Sequence, residues 1–263
     1  MTGYYANALD DIRSGITGWR IWTMLASNDI RQRYRRSSLG QFWVTLSMAI
    51  MIFGMGAVYA ALFKTAVRGY IPYVATTFVI WAFISTNITE STNAFVENER
   101  IILHISMAKS TFIFRMLYRN LLIFFHNVLI IPLVFLTFQI GVNWNIFWLI
   151  PGFILVGANC FWIGYCLAII CARYRDVPQI IASIMQIMFF VTPIMFRPEQ
   201  LGVHAYLLPA NPLANFVELL RNPMLGEPPG VLALGVSLGL LIVGSLIMLS
   251  FTGRYSQRVV YWL

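Results

Sequence analysis

Between Ser85 and Asn93, eight of nine side chains can donate or accept a hydrogen bond: Ser85, Thr86, Asn87, Thr89, Glu90, Ser91, Thr92 and Asn93. Hydroxyls, amides and one carboxylate are suited to recognising a hydroxyl-rich molecule such as a sugar, with Asn87 and Glu90 as its strongest members. Six aromatic residues within apolar runs, Tyr59, Tyr73, Trp81, Phe83, Phe189 and Phe190, offer flat faces that suit the C–H faces of sugar rings. For any one of them, helix packing or lipid contact is the competing reading. Bond-making chemistry finds no support. The chain lacks Gly-x-x-x-x-Gly-Lys-Ser/Thr, His-Glu-x-x-His and Gly-x-Ser-x-Gly, so neither a nucleotide site nor a catalytic or metal-binding residue is expected. His104, His126 and His204 fall on separate segments. His126 beside Asn127, inside an apolar run, reads as a neutral imidazole hydrogen-bonded between helices. Cys160, Cys166 and Cys171 share one apolar run and read as small buried hydrophobes.

Composition says what must hold these residues. The 263-residue chain is 59% apolar, 15% aromatic and only 11% charged, with a mean hydropathy of +0.73. That charge cannot coat a water-soluble globule of this size, and the chain is too apolar for disorder. An all-α integral membrane protein remains. The net charge of +8 is therefore assigned to membrane orientation and lipid contact rather than to nucleic acid.

A hydrocarbon core about 30 Å thick requires about 20 apolar residues per helix. Six runs approach this: Phe42 to Phe63, Tyr70 to Ile88, Leu121 to Phe138 (with a start at Phe112 also open), Ile146 to Cys171, Ile180 to Phe196, and Val231 to Phe251. Fourteen Lys and Arg residues then fall on the side of the two termini and four on the other. Both termini are expected in the cytoplasm, consistent with an even number of spans. The first run is too long for a signal-peptide core, so it is expected to remain as a span.

The expected organisation is a cytoplasmic N-terminus over 1–41, a six-helix domain over 42–251 and a tail over 252–263. Within residues 10–38, Ile12, Ile16, Trp19, Trp22, Leu25 and Ile30 recur at helical spacing among arginines that include Arg31, Arg33, Arg35 and Arg36. This predicts a helix on the membrane surface, interrupted in its first half by Gly15 and Gly18; a solvated helix is the alternative. The connection over about 90–119 holds a mixed stretch with Glu97, Asn98, Glu99 and Arg100, suited to docking on a cytoplasmic partner. Arg175 and Asp176 lie in a second compact turn on the same side, with Pro178 placed to open the next helix. On the outer side, residues 197–230 contain six prolines and a short amphipathic stretch, Ala214 to Leu220. A re-entrant gate and a plain surface loop both fit this segment. Gly235-x-x-x-Gly239 permits close helix packing but carries no functional weight.

In order along the chain, Asp29-Ile-Arg-Gln-Arg-Tyr34-Arg-Arg-Ser37-Ser-Leu39-Gly40-Gln-Phe-Trp43, Val96-Glu-Asn98 with Ile101-Ile102, Arg175-Asp176-Val, and Asn211-Pro212 with Glu218 and Arg221 resemble the permeases of ABC transporters that export polysaccharides: O-antigen, capsule and teichoic acid. The stretch His104-Ile-Ser-Met-Ala-Lys-Ser-Thr departs from that family, which often has prolines there. The resemblance implies two copies of this chain around a pathway in a bacterial inner membrane, joined to two copies of a separate ATPase that binds ATP and Mg. It places Glu97, Asn98, Glu99 and Arg100, with Arg175 and Asp176, near that ATPase. It implies a lipid-linked glycan, of the undecaprenyl class, as cargo, O-antigen first. Arg31, Arg33, Arg35 and Arg36 suit its anionic head or anionic phospholipid equally well. A membrane-embedded lipid- or glycan-modifying enzyme would need convergent acid, base or metal residues. An ion-coupled transporter would need internal repeats and midplane charges. Neither pattern is evident.

Overall fold

The computed structural model describes residues 2–35, 40 and 42–263; Arg36, Ser37 and Leu39 of the first motif lie outside the described residues. Among the described residues every regular element is helical: α1 (Thr2–Thr17), α2 (Trp19–Tyr34), α3 (Phe42–Leu62), α4 (Val67–Ser91), α5 (Glu99–His104), α6 (Ser110–Val128), α7 (Ile130–Phe138), α8 (Leu149–Arg173), α9 (Val177–Val191), α10 (Pro212–Met224), α11 (Val231–Tyr255) and α12 (Val259–Trp262), with short 3-10 segments at Trp144–Trp148, Pro198–Ala210 and Ser256–Arg258. Five stretches are long and apolar enough to cross a membrane: α3, α4, α6 with α7, the Trp144–Trp148 turn with α8, and α11 with the tail. The chain is an all-α, multi-pass membrane protein.

Helix α4 is the spine. From Tyr70 to Ile84 it is apolar on nearly all sides, and such a helix must be enclosed. It packs on α3, α6, α7, α8, α9 and α10, burying Tyr70, Val74, Val79, Ile80, Ile84 and Asn87 among others. The more apolar α3 and α11 bury only about a fifth of their most hydrophobic windows. Their exposed Trp43, Ile50, Phe53, Leu62, Ile242, Val243 and Leu246 would be unstable against water, so lipid or another protein must cover them.

The fifth apolar run differs from its sequence boundaries. It forms only α9, 15 residues long, or about 22 Å at 1.5 Å per residue. Pro178 sits in its first turn, and Thr192 turns extended (ψ 139°) ahead of Pro193. A residue before proline is pushed out of helical conformation. Thr192 to Met195 then continue as buried, non-helical chain. The proline-rich segment 197–230 contributes α10, longer than expected. It is buried through Leu213, Phe216, Val217, Leu219 and Leu220 and packs on α4, α8 and α11. Asn211 caps it, accepting from the N–H groups of Leu213 and Ala214, with Pro212 following, an arrangement favoured at helix starts.

The N-terminal region is interrupted at Gly18, as expected, but not at Gly15, and the first of its two helices begins as early as Thr2. Helix α1 packs on α6 and α11, and α2 on α6. Trp22 lies against Phe114 and Tyr118 of α6, its ring centroid 5.8 and 5.4 Å from theirs. Its indole N–H donates to the Gly15 carbonyl across the break. A side chain at Gly15 would collide with Ser110, which is why the α1–α6 contact needs glycine there.

The three cysteines are buried in α8, as expected. His126 departs from expectation. Its Nδ1 lies 2.7 Å from the Leu122 carbonyl of its own helix, while the His126 carbonyl accepts from Thr45 of α3; the interhelical bond uses backbone, not imidazole. The close helix approach lies off the glycine pair as well. Gly235 and Gly239 face open space, whereas any Cβ on Gly244 would run into the Trp162 indole of α8. Overpacking of this kind costs about 1–3 kcal/mol. Gly244→Ala should therefore lower the unfolding temperature of the purified protein, while Gly235→Ala and Gly239→Ala leave it unchanged. Equal effects at the three positions would refute the Trp162 contact.

Candidate functional site: two polar clusters at the ends of α4

At the C-terminal end of α4 a charged cluster joins three helices. Arg115 of α6 grips Asp29 of α2 with two bonds, Nε to Oδ2 at 2.8 Å and Nη2 to Oδ1 at 2.5 Å. Arg119, one turn on, reaches Asp29 at 3.4 Å and Glu90 of α4 at 2.7 Å. Arg33 approaches Glu90 from α2 at 3.8 Å, its side chain half exposed. Asp29, Arg115 and Arg119 are mostly buried, so their charges are screened less and a missing partner is costly. The bidentate fork fixes direction as well as charge.

The same cluster extends to the segment before α5. The Asn98 side-chain Oδ1 accepts from Arg115 Nη1 at 2.6 Å, and its side-chain amide donates to the Ala94 carbonyl. Arg115 thus ties α2 to the foot of α5. A cavity of about 430 Å³ opens beside it, lined by Gln32, Arg33, Glu90, Glu97, Asn98 and Arg119 among others. Glu97 and Arg100 are exposed, and Glu99 is half-buried in the first turn of α5. Arg175 and Asp176 are exposed beyond α8. Arg175 makes only a long contact, 3.5 Å, to the Trp262 carbonyl. Arg31 and Arg35 are exposed on and just after α2.

Asp11 secures α1 to the same end. Its two carboxylate oxygens accept the backbone N–H groups of Lys109 and Ser110 at 2.8 and 3.0 Å, and the Tyr165 hydroxyl donates to it at 2.8 Å. A carboxylate at a helix N-terminus satisfies unpaired donors and complements the helix dipole. Burial pushes the neighbouring Lys109 ammonium below its ordinary value, and the Asp11 charge opposes that shift.

The polar run of α4 faces inward. Asn87, Ser91 and Thr92 are buried and Ser85, Thr86, Thr89 and Glu90 half-buried. Most bond back to their own helix: Ser85 to Ala82, Asn87 to Phe83, Thr89 to Ser85, Ser91 to Ile88 and Thr92 to Thr89. Asn87 also accepts from Asn120 of α6. Phe83 is buried against Phe124 and Phe153, and Trp81 is buried against Phe189. Tyr59 lies near Phe63. Phe190 is 71% exposed on α9.

At the opposite end of α4, Tyr73 anchors the chain that follows α9. Its hydroxyl lies 2.8 Å from the carbonyls of both Pro193 and Phe196, and it accepts from Arg221 of α10 at 3.0 Å. Arg221 and Arg197 lie over its ring, 5.1 and 5.3 Å from the centroid. Tyr70 donates to the Met195 carbonyl, and Asn211 donates to Thr192 at 3.0 Å. Arg221 is 5% exposed and has no carboxylate partner among the described residues. A phenol ring, a carbonyl and Asn222 serve it instead, a use of cation–π attraction in a desolvated place.

One more surface is polar where apolar residues are expected. On α9, Gln179, Ser183 and Gln186 recur at steps of four and three and are exposed, amid exposed Ile180, Ile184 and Ile187. Lipid penalises such a stripe. Helical spacing contained that signal. The roles of Asp11, Asp29, Arg115 and Arg119 had no signal of this kind, because their partners are distant in sequence. These arrangements fix helices to one another and present a polar face on α9.

The sequence profile of the ABC-2 type transporter family matches residues 20–225. The chain is also similar to the O-antigen export system permease protein RfbA of Myxococcus xanthus. The two are 20% identical over 201 residues, 73% of this chain and 75% of that protein.

Removing the Asp29 charge leaves Arg115 with no carboxylate partner among the described residues and Arg119 with Glu90 alone. Breaking a buried pair of this kind costs about 3–5 kcal/mol, whereas an exposed pair contributes under about 1 kcal/mol. Asp29→Ala should therefore lower thermal stability in detergent far more than Arg33→Gln. Similar small losses for both would show that the cluster does not hold α2.

Proposed function

Because this chain belongs to the ABC-2 type transporter family, we propose that it is the permease of an ATP-driven exporter of undecaprenyl-linked polysaccharide, O-antigen first, across a bacterial inner membrane. The observation that carries the cargo class is its similarity to an O-antigen export permease across three quarters of both chains. Two copies of the chain surround the pathway, and two copies of a separate ATPase supply the energy.

The exposed polar stripe of α9 supports the pairing. Gln179, Ser183 and Gln186 are costly against lipid but suit a wet wall shared with a second copy. Amides and hydroxyls there hydrogen-bond sugar hydroxyls without selecting one residue of a long polymer. Phe190, on the same face, offers a ring for sugar C–H faces. Thr192 to Phe196 and α10 close the outer end as a gate, pinned by Tyr73 and Arg221. Asn87 and Glu90 serve the α4 interior and its ion cluster, with Glu90 facing the cavity beside Arg33.

The end of the bundle carrying α5 faces the cytoplasm, with both chain termini. There Glu97, Asn98, Glu99 and Arg100, flanked by Arg175 and Asp176, meet the ATPase. ATP binding favours one arrangement of the permease only if the partner contacts differ between arrangements. Displacement of α5 passes through Asn98 to Arg115 and then to Asp29 of α2, so the ion cluster joins the docking segment to the bundle.

Three measurements test this reading. Vesicles holding the chain and its ATPase should move lipid-linked glycan only with hydrolysable ATP; movement by the chain alone under an ion gradient would overturn it. Glu97→Ala with Glu99→Ala should impair ATPase association or coupled turnover, and unchanged transport would remove α5 from the coupling role. A single cysteine at Gln186→Cys should cross-link two copies in the membrane; none would place the pairing surface elsewhere.

A further inference from the structure

The end of α11 carries a second polar cavity, separate from the Asp29 cluster. It has a volume of about 570 Å³ and is lined by Tyr5 and Asn7 of α1 and by Ser250, Arg254, Gln257 and Arg258. Each of these side chains can donate a hydrogen bond, and no acidic side chain among the described residues lines the cavity. Neither arginine pairs with a carboxylate among the described residues. Arg254 lies over the ring of its neighbour Tyr255, 5.6 Å from the centroid. Tyr5 and Ser250 meet across the cavity mouth only at 3.4 Å.

The approach to this cavity is aliphatic. On one face of α11, exposed Ile242 and Val243, then Leu246 and Ile247, then Ser250 and Arg254 follow at helical steps, and Arg258 comes four residues later in the 3-10 segment Ser256–Arg258. Arg254 is the 24th residue of α11, about 35 Å from its start at 1.5 Å per residue. A hydrocarbon core spans about 30 Å. The arginines therefore stand at headgroup depth directly beyond a greasy stripe.

We propose that this cavity binds one anionic phospholipid, with its phosphate between Arg254 and Arg258 and an acyl chain along Ile242 to Ile247. Tyr5, Asn7 and Gln257 donate to the remaining phosphate and glycerol oxygens. A zwitterionic lipid is disfavoured, because its ammonium group finds no carboxylate there. The lipid bridges α1 to α11 beside the long Tyr5–Ser250 contact, and so adds a contact that depends on the membrane's charge to a helix that Asp11 already secures to α6. Helix α11 packs chiefly on α8, α1 and α10, whereas α9 packs on α4 and α8. The site is thus peripheral to the polar α9 face.

The full-length chain, delipidated in a neutral detergent, is titrated with phosphatidylglycerol, phosphatidylcholine, inorganic phosphate and an isoprenoid diphosphate. Binding is read as a rise in unfolding temperature and as retained lipid in native mass spectrometry. Phosphatidylglycerol should raise the unfolding temperature and remain bound at one molecule per chain. Arg254→Gln with Arg258→Gln should weaken it roughly tenfold or more, given the attraction of each arginine for anionic headgroups. Lys64→Gln, an exposed cation at the opposite end of the bundle, should leave it intact. If the double variant does not fold, Arg258→Gln alone should give a smaller loss in the same direction. Undiminished binding by these variants, equal binding of phosphatidylcholine, an equal shift with inorganic phosphate, or preference for the isoprenoid diphosphate would each overturn the proposal. The titration uses neither cargo nor ATPase, so its outcome is independent of the transport measurements.

Discussion

Asp29 stands where two arginines of α6 converge, mostly buried beside a polar cavity. A carboxylate so placed must keep its partners, because the cost of isolating any one member exceeds what a single hydrogen bond returns. The geometry that satisfies it also fixes the molecule. Arg115 holds α2 in register with α6, Arg119 brings in the end of α4, and Asn98 adds the segment leading to α5. Four segments that hydropathy alone would leave free to slide are locked at one end.

The other end of α4 solves the same problem without an ion pair. Arg221 is buried, and its charge is spread over a tyrosine ring, a backbone carbonyl and an amide. That arrangement pins a stretch of chain, Thr192 to Phe196, whose backbone groups lie outside any helix. Irregular backbone inside an apolar environment survives only when protein covers it. Tyr70, Tyr73 and Asn211 provide the cover. Helix α4 thus connects two polar clusters by a rigid rod of 25 residues, about 37 Å long. A helix enclosed on all sides transmits displacement rather than absorbing it.

The surfaces left over divide by chemistry. Helices α3 and α11 present aliphatic and aromatic side chains outward, as lipid allows. Helix α9 alternates isoleucines with Gln179, Ser183 and Gln186, and a stripe of that kind is economical only where water or another polar wall meets it. Short length, proline at both ends and outward polarity occur together on this one helix, so it differs from the spans that serve only to fill the bilayer.

Composition and hydropathy by themselves determined the class of this protein, the presence of its long apolar helices and the inward-facing character of Ser85 to Thr92. These depend on local sums and on spacing within one helix, and both are written in the chain. The proline at 178 opening α9 was legible for the same reason. Tertiary structure alone decided which polar groups meet. Asp29 and Arg115 are 86 residues apart, and Asp11 and Tyr165 are 154 apart, separations at which no periodicity constrains a pairing. It also decided that Gly244, not Gly235 or Gly239, receives a neighbouring helix. A glycine matters only when something large stands opposite, and what stands opposite is set by how the helices cross.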